Sequence, residues 1–364
     1  MTEDISATPS PRASSPKVPA AKFGGRGINI GIAVAAVVTV AGLALWVVQL
    51  SGGLVQTGMR NFDSWGLYIT LFMFLVGLSA GGLIISSVPR AFGMKGFGGI
   101  SKVAVWTSIC CTVLAIAFVV VDLGHPARLW ELFAYSNLGS PLMWDIVVLG
   151  TYLVLSIAYL WATLRFEGGK GSERSLRAIS VVALACAILV HSVTAWIFGL
   201  EAAKEGWYTA IMAPIFVASA MDSGLALLLV VLGVLKKAGI YDTSRELMAM
   251  LAGLLCTCVA VDAFFIFCEV LTMAYPGAAG AETLALLTTG PTAPFFWFEI
   301  ICGLVIPFCI LVFAKNRQSA VLINVACVLI VVGVFCKRVW LLFTAFIVPN
   351  VMGAPGMISG SSEA

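Results

Sequence analysis

Nine stretches of this chain are long enough to cross a bilayer as helices and carry little or no charge: residues 28–50, 64–87, 101–123, 143–164, 178–199, 211–235, 247–273, 294–314 and 321–347. A helix rises about 1.5 Å per residue, so a hydrocarbon layer about 30 Å thick takes about 20 residues. The charge count forces the same conclusion. Only 21 Lys and Arg and 18 Asp and Glu occur among 364 residues, so 11% of the chain is charged and 60% is hydrophobic, against about 25% and 45–50% in soluble domains. The expected fold is all-α, a polytopic membrane protein with nine transmembrane helices. Gly77, Gly81, Gly82, Pro214 and Pro307 fall inside spans. Neighbouring helices satisfy the backbone groups that such residues free, and the small ones let helices approach closely.

Several classes of function are excluded by the same counts. The formal net charge is +3 and the basic residues occur singly or in pairs, which gives no basic face for nucleic acid. No hydrophilic stretch is long enough for a separate catalytic domain. The longest polar segment, residues 1–27, is rich in Ser, Pro and Ala and reads as a disordered tail. It lacks the short apolar core and small-residue cleavage site of a leader peptide. Activity therefore belongs inside the membrane or at its edge.

Lys and Arg are retained on the cytoplasmic side of a membrane. The N-terminal tail and the even-numbered loops hold 16 of them, whereas the odd-numbered loops hold only Arg60, Arg128 and Lys204, and none follows Phe346. This asymmetry predicts a cytoplasmic N-terminus and, after nine crossings, a C-terminus outside. The two basic residues left over, Lys337 and Arg338, lie within the ninth span.

All ten cysteines fall inside predicted spans. An iron–sulfur cluster needs about four converging thiolates, usually closely spaced in a loop, and Cys256-Thr-Cys258 is the nearest approach. They read as small buried apolar residues with no disulfide framework. The two histidines are His125 in a predicted loop and His191 in the fifth span. They do not supply the coaxial pairs of a membrane haem. No metal site is expected in this chain, so any metal centres belong to partner subunits.

An ionisable group in a span is a functional candidate, because burying it is costly unless it is paired or hydrated. Two sets emerge. Spans two to five and their loops bring Asp63, Trp65, Tyr68, Asp122, His125, Arg128, Asp145 and His191 toward the predicted outer surface. A quinone headgroup needs donors to its carbonyls, a titratable proton acceptor and aromatic walls, and a His with a nearby carboxylate supplies the acceptor. The competing reading is interfacial capping, with Asp63 as a helix cap, Trp65 in an aromatic belt and Arg128 paired with Glu131. Spans six to nine carry Asp222, Asp262, Glu269, Glu299, Lys337 and Arg338. Four acids face two bases, which fits either a static ion network or a proton relay that holds protons on some of the acids.

The segments Trp65-Gly-Leu-Tyr-Ile69, Gly77-Leu-Ser-Ala-Gly-Gly82, Asp122-Leu-Gly-His-Pro-Ala-Arg-Leu-Trp130, Ser140-Pro-Leu-Met-Trp-Asp145, His191-Ser-Val-Thr-Ala-Trp196, Gly206-Trp-Tyr208 and Pro214-Ile-Phe-Val-Ala-Ser-Ala220 occur in this order. Together they resemble the NrfD/polysulfide-reductase family of integral membrane subunits, from about residue 60 to the ninth span. The resemblance implies two four-helix bundles, 61–200 and 201–349, behind an additional N-terminal helix and loop, 28–60, with flexible tails at 1–27 and 350–364. It implies a menaquinone or other quinone near the outer surface of the first bundle, touched by Asn61, Asp63, Trp65, Tyr68, Asp122 and Asp145. It further implies a ferredoxin-like iron–sulfur subunit and a molybdopterin catalytic subunit as partners, in the cytoplasmic membrane of a bacterium or archaeon. The sequence departs from the family pattern at His125, where Arg is common, and at Tyr208, where His is frequent.

The expected function is thus the quinone-reactive anchor of a respiratory oxidoreductase, exchanging electrons with an iron–sulfur partner. Asp122, His191 and Asp63 are the candidate catalytic proton acceptors. A proton-coupled secondary transporter using Asp222, Asp262 and Glu299 is the alternative. Against it stands the lack of a clearly broken helix pair at matching positions in two halves.

Overall fold

The computed structural model describes residues 26–59, 65–92, 98–204, 206–275 and 277–347. Nine long helices are present among them: α1 (Arg26–Gly52), α2 (Leu67–Ala91), α3 (Gly98–Asp122), α4 (Pro141–Glu167), α5 (Glu173–Gly199), α6 (Met212–Lys237), α7 (Arg245–Ala274), α8 (Ala293–Leu311) and α9 (Ala320–Ile347). Each predicted span coincides with one of them, and all nine are long and apolar enough to cross a membrane.

Polar punctuation sets the helix ends beyond the apolar runs. The α4 helix starts at Pro141, whose missing N–H costs nothing in a first turn. At the start of α7 the Ser244 hydroxyl accepts from Leu247 N–H at 3.2 Å, with Glu246 in the first turn. The α5 helix begins at Glu173, five residues ahead of the predicted run, because Ser172 has cap geometry and Glu173 favours the positive helix end. The α8 helix ends early, at Leu311, and is irregular: residues Glu299–Val305 form a π-helical segment between two short α-helical pieces. Pro307, which has no N–H to donate, lies two residues beyond the segment's end.

Helix α2 is the most buried of the nine, and it packs against α3, α5, α6 and α9. Its crossing with α6 is set by glycine. A Cβ on Gly81 would lie 2.1 Å from the Ala220 carbonyl oxygen and 2.6 Å from Gly224 Cα, both backbone atoms that cannot swing aside. We expect Gly81→Val to destabilise the fold by at least about 3 kcal/mol, the upper range for overpacking, read as lost accumulation in membranes. Gly77→Ala is the control, since its Cβ would meet only side-chain atoms at 3.8 Å or beyond.

Buried hydroxyls tie α2, α3 and α4 together. Ser79 Oγ lies 2.6 Å from Thr112 Oγ1 and 3.1 Å from Ser108 Oγ, and the Tyr152 hydroxyl lies 2.6 Å from Ser108 Oγ. One helical repeat further, the Tyr159 hydroxyl donates to the Ser86 carbonyl at 3.0 Å. Among apolar tails such bonds hold helices together without any hydrophobic driving force between them. Helix α1 is the opposite case. No residue of its most apolar window is buried, and Gln49, near its C-terminal end, is its one buried polar side chain.

Candidate functional site

The ends of α2 and α3 meet around Tyr68. Its ring stacks on Phe118 at 6.3 Å, one helical turn before Asp122. Its hydroxyl donates to Gln49 Oε1 at 2.6 Å, and Gln49 Nε2 donates in turn to the Val121 carbonyl at 3.4 Å. Asp122 is the last residue of α3, half-buried, and its Oδ1 is buried with no hydrogen-bond partner. A phenol, an aromatic face and a carboxylate oxygen without a donor thus share one end of two adjacent helices. Asn61 and Asp63, expected beside them, lie outside the described residues.

Asp145 and His191 belong to a second group, between α4 and α5. Asp145 is buried, and its Oδ1 accepts from the Thr194 hydroxyl at 2.6 Å. His191 stands one helical turn before Thr194, is 1% exposed, and has Nε2 without a partner. Trp65 joins an aromatic cluster with Phe198 at 5.8 Å, Trp207 at 6.4 Å and Phe346 at 6.5 Å. Phe198 continues to Phe216 at 6.2 Å, and the Arg338 guanidinium lies 4.0 Å over the Phe216 ring.

His125 and Arg128 line an open cavity of about 520 Å³ walled also by Leu123, Glu131, Tyr135 and Asn137. Arg128 grips Glu131 with two bonds, Nε to Oε1 at 2.9 Å and Nη2 to Oε2 at 2.7 Å. This fork holds the Glu131 carboxyl below the usual carboxylate range and raises the Arg128 guanidinium. The capping interpretation of Arg128 therefore has a geometric basis. The cavity reaches Leu123, the neighbour of Asp122.

The second acidic set forms a buried cluster between α6, α7, α8 and α9. Lys337 Nζ donates to Asp262 at 3.0 and 3.2 Å and lies 3.6 Å from Glu299 Oε1. Glu299 Oε2 accepts from the Trp340 indole. Glu299 opens the π segment of α8, a helix defect found often at functional sites. Arg338, which a static ion network would set against an acid, donates to the Ser219 hydroxyl at 2.6 Å, and its Nε and Nη1 have no partner. The Asp222 carboxylate finds no side-chain donor, and Glu269 Oε1 has no partner. All six residues are at most 3% exposed. Arg338 thus stands between α6 and α9, bonded to Ser219 and lying over the Phe216 ring, beside the acidic cluster in sequence through its neighbour Lys337.

Sequence reasoning missed Gln49, which partners Tyr68, and Thr194, Ser219 and Trp340, which partner charged residues. Gln49 alone carried a signal, an amide near the end of an otherwise Ala/Val/Leu-rich span. Among the described residues no group of three or more His, Cys, Asp or Glu is arranged to hold a metal ion.

Relatives match this chain over most of their length. A Halobacterium salinarum protein, provisionally named as a membrane subunit of a dimethyl sulfoxide reductase, is 33% identical over 92% of this chain and 81% of its own. A selenate reductase subunit of Mesobacillus selenatarsenatis is 27% identical over 89% of this chain and 84% of its own. The Hdr-like menaquinol oxidoreductase integral membrane subunit of Archaeoglobus fulgidus is 27% identical over 88% and 80%. Residues 55–350 match the family profile described as polysulphide reductase, NrfD, and the chain therefore belongs to the NrfD polysulphide reductase family.

Proposed function

We propose that this chain is the quinone-reactive membrane subunit of a multi-subunit respiratory oxidoreductase whose substrate chemistry is done on partner subunits. The observation that carries the proposal is the Tyr68–Phe118–Asp122 group at the α2 and α3 ends, in a chain whose relatives include a menaquinol oxidoreductase subunit. A ferredoxin-like iron–sulfur subunit and a molybdopterin subunit are the partners we assign, with menaquinol as the favoured quinone. An ion-coupled carrier is not favoured, because the named relatives are reductase and oxidoreductase subunits.

A quinol, when bound, supplies two electrons and two protons. The chain's own residues account for binding and for the protons. Tyr68 offers a phenol oxygen and Phe118 an aromatic wall. Asp122 Oδ1, buried without a donor, is the proton acceptor we assign, and Asn61 and Asp63 complete the pocket on family grounds. Asp145, held by Thr194, and His191 offer a second acceptor route. We assign the onward proton path to the cluster of Asp222, Asp262, Glu269, Glu299, Lys337 and Arg338. With two bases for four acids, neutrality in the bilayer interior requires that cluster to hold protons. His125 and Arg128 line the entrance cavity beside Leu123. The predicted orientation, N-terminus inside and C-terminus outside, sets the quinone end at the outer face of a bacterial or archaeal cytoplasmic membrane.

Gentle purification of the tagged chain from its native membrane tests this. We expect iron–sulfur and molybdenum-containing partners to copurify, with quinone in the organic extract. A lone subunit that accumulates solute in vesicles would overturn the proposal.

A further inference from the structure

We infer that Gln49, on the additional N-terminal helix, is a positioning residue that fixes Tyr68 as a hydrogen-bond acceptor and so biases the headgroup site toward the reduced quinol. The inference rests on the quinone site proposed above and goes beyond it, since it assigns α1 a part in ligand selection.

The hydrogen-bond directions follow from chemistry. The Val121 carbonyl can only accept, so the Gln49 atom facing it must be the amide nitrogen. That leaves the amide oxygen facing Tyr68, and an amide oxygen can only accept, so the Tyr68 hydroxyl must donate its single proton to Gln49. The phenol oxygen then has only lone pairs to present to a ligand. A quinol hydroxyl can donate to it, whereas a quinone carbonyl, which has no proton, cannot. The arrangement is held firmly. Gln49 is 6% exposed on a helix whose most apolar window has no buried residue. The turn that follows α1 packs against the segment after Asp122, where a Cβ on Gly124 would lie 3.0 Å from the Leu54 side chain.

The test is ligand binding by the full chain in lipid nanodiscs without its partners, so that no turnover intervenes. The probe is 2,3-dimethyl-1,4-naphthoquinone, titrated in its oxidised form and, anaerobically, as the quinol. In the wild type the quinol should bind more tightly. Gln49→Leu frees the Tyr68 proton to meet a carbonyl. It should lower the ratio of quinone Kd to quinol Kd about tenfold, the worth of about one hydrogen bond. In a Tyr68→Phe background Gln49→Leu should have no further effect. Leu suits a lipid-facing helix, and Gln49→Met takes its place should it fail to accumulate. A ratio unchanged by Gln49→Leu, an equal weakening of both forms, or a shift that persists without the Tyr68 hydroxyl would overturn the inference and leave the quinone site standing. A wild type that binds neither form would remove both.

Discussion

Asp122→Asn is expected to lower quinol oxidation by the assembled complex by about 10²- to 10³-fold, the range for losing a positioned general base, while leaving assembly intact. The substitution keeps the shape and removes only the ability to take a proton. The position itself argues for function. Asp122 ends α3, where the carbonyl end of the helix carries partial negative charge, so a carboxylate there is disfavoured by about 0.3–1 kcal/mol. Its Oδ1 has no hydrogen-bond partner to offset this. A carboxylate kept for stability would sit at the other end of a helix, as Glu246 does in the first turn of α7. The thermal midpoint of Asp122→Asn should accordingly equal or exceed that of the wild type. The measurement is a steady-state rate with a soluble quinol, together with a melting curve of the purified complex. Unaltered quinol oxidation would show that Asp122 is not the acceptor, and a loss of rate that tracked a loss of melting temperature would assign it a structural role.

The fold was legible because lipid leaves a chain so few options: runs of about 20 residues without charge fix the helices nearly by themselves. Helix ends drifted where polar residues decide them, as at Glu173, which the apolar run did not include. The site was less legible for a different reason. Its charged members announce themselves in an apolar sequence, but their partners are uncharged residues whose roles arise from tertiary contact alone. Thr194 and Ser219 are among many span hydroxyls in the sequence, and only packing shows that one binds Asp145 and the other Arg338. That Arg338 bonds Ser219 rather than an acid was not legible either, because contact between α6 and α9 has no trace in spacing along any one helix. Gln49 was passed over because α1 looked peripheral, and over nearly its whole length it is.

Lys337→Leu is expected to destabilise the chain by about 3–5 kcal/mol, the loss seen when one partner of a buried ion pair is removed. Lys337 is the only base that touches the acids directly among the described residues. It holds Asp262 at 3.0 Å and stands 3.6 Å from Glu299, at 1% exposure. Removing it leaves Asp262 without the donor to its carboxylate, whereas Glu299 retains the Trp340 indole. The damage should therefore be repaired in large part by the double variant Lys337→Leu with Asp262→Leu, since replacing both members of a buried pair by apolar residues is often neutral. Yield in membranes and the melting temperature of the purified complex check both statements. A single variant as stable as the wild type would show that the pair contributes nothing to folding. The repaired double variant then separates the two roles open to this cluster. Where the acids serve only as a static network, the complex will oxidise quinol and move protons across vesicle membranes as before. Where they relay protons, quinol oxidation with a soluble acceptor will continue while proton release into the vesicle stops.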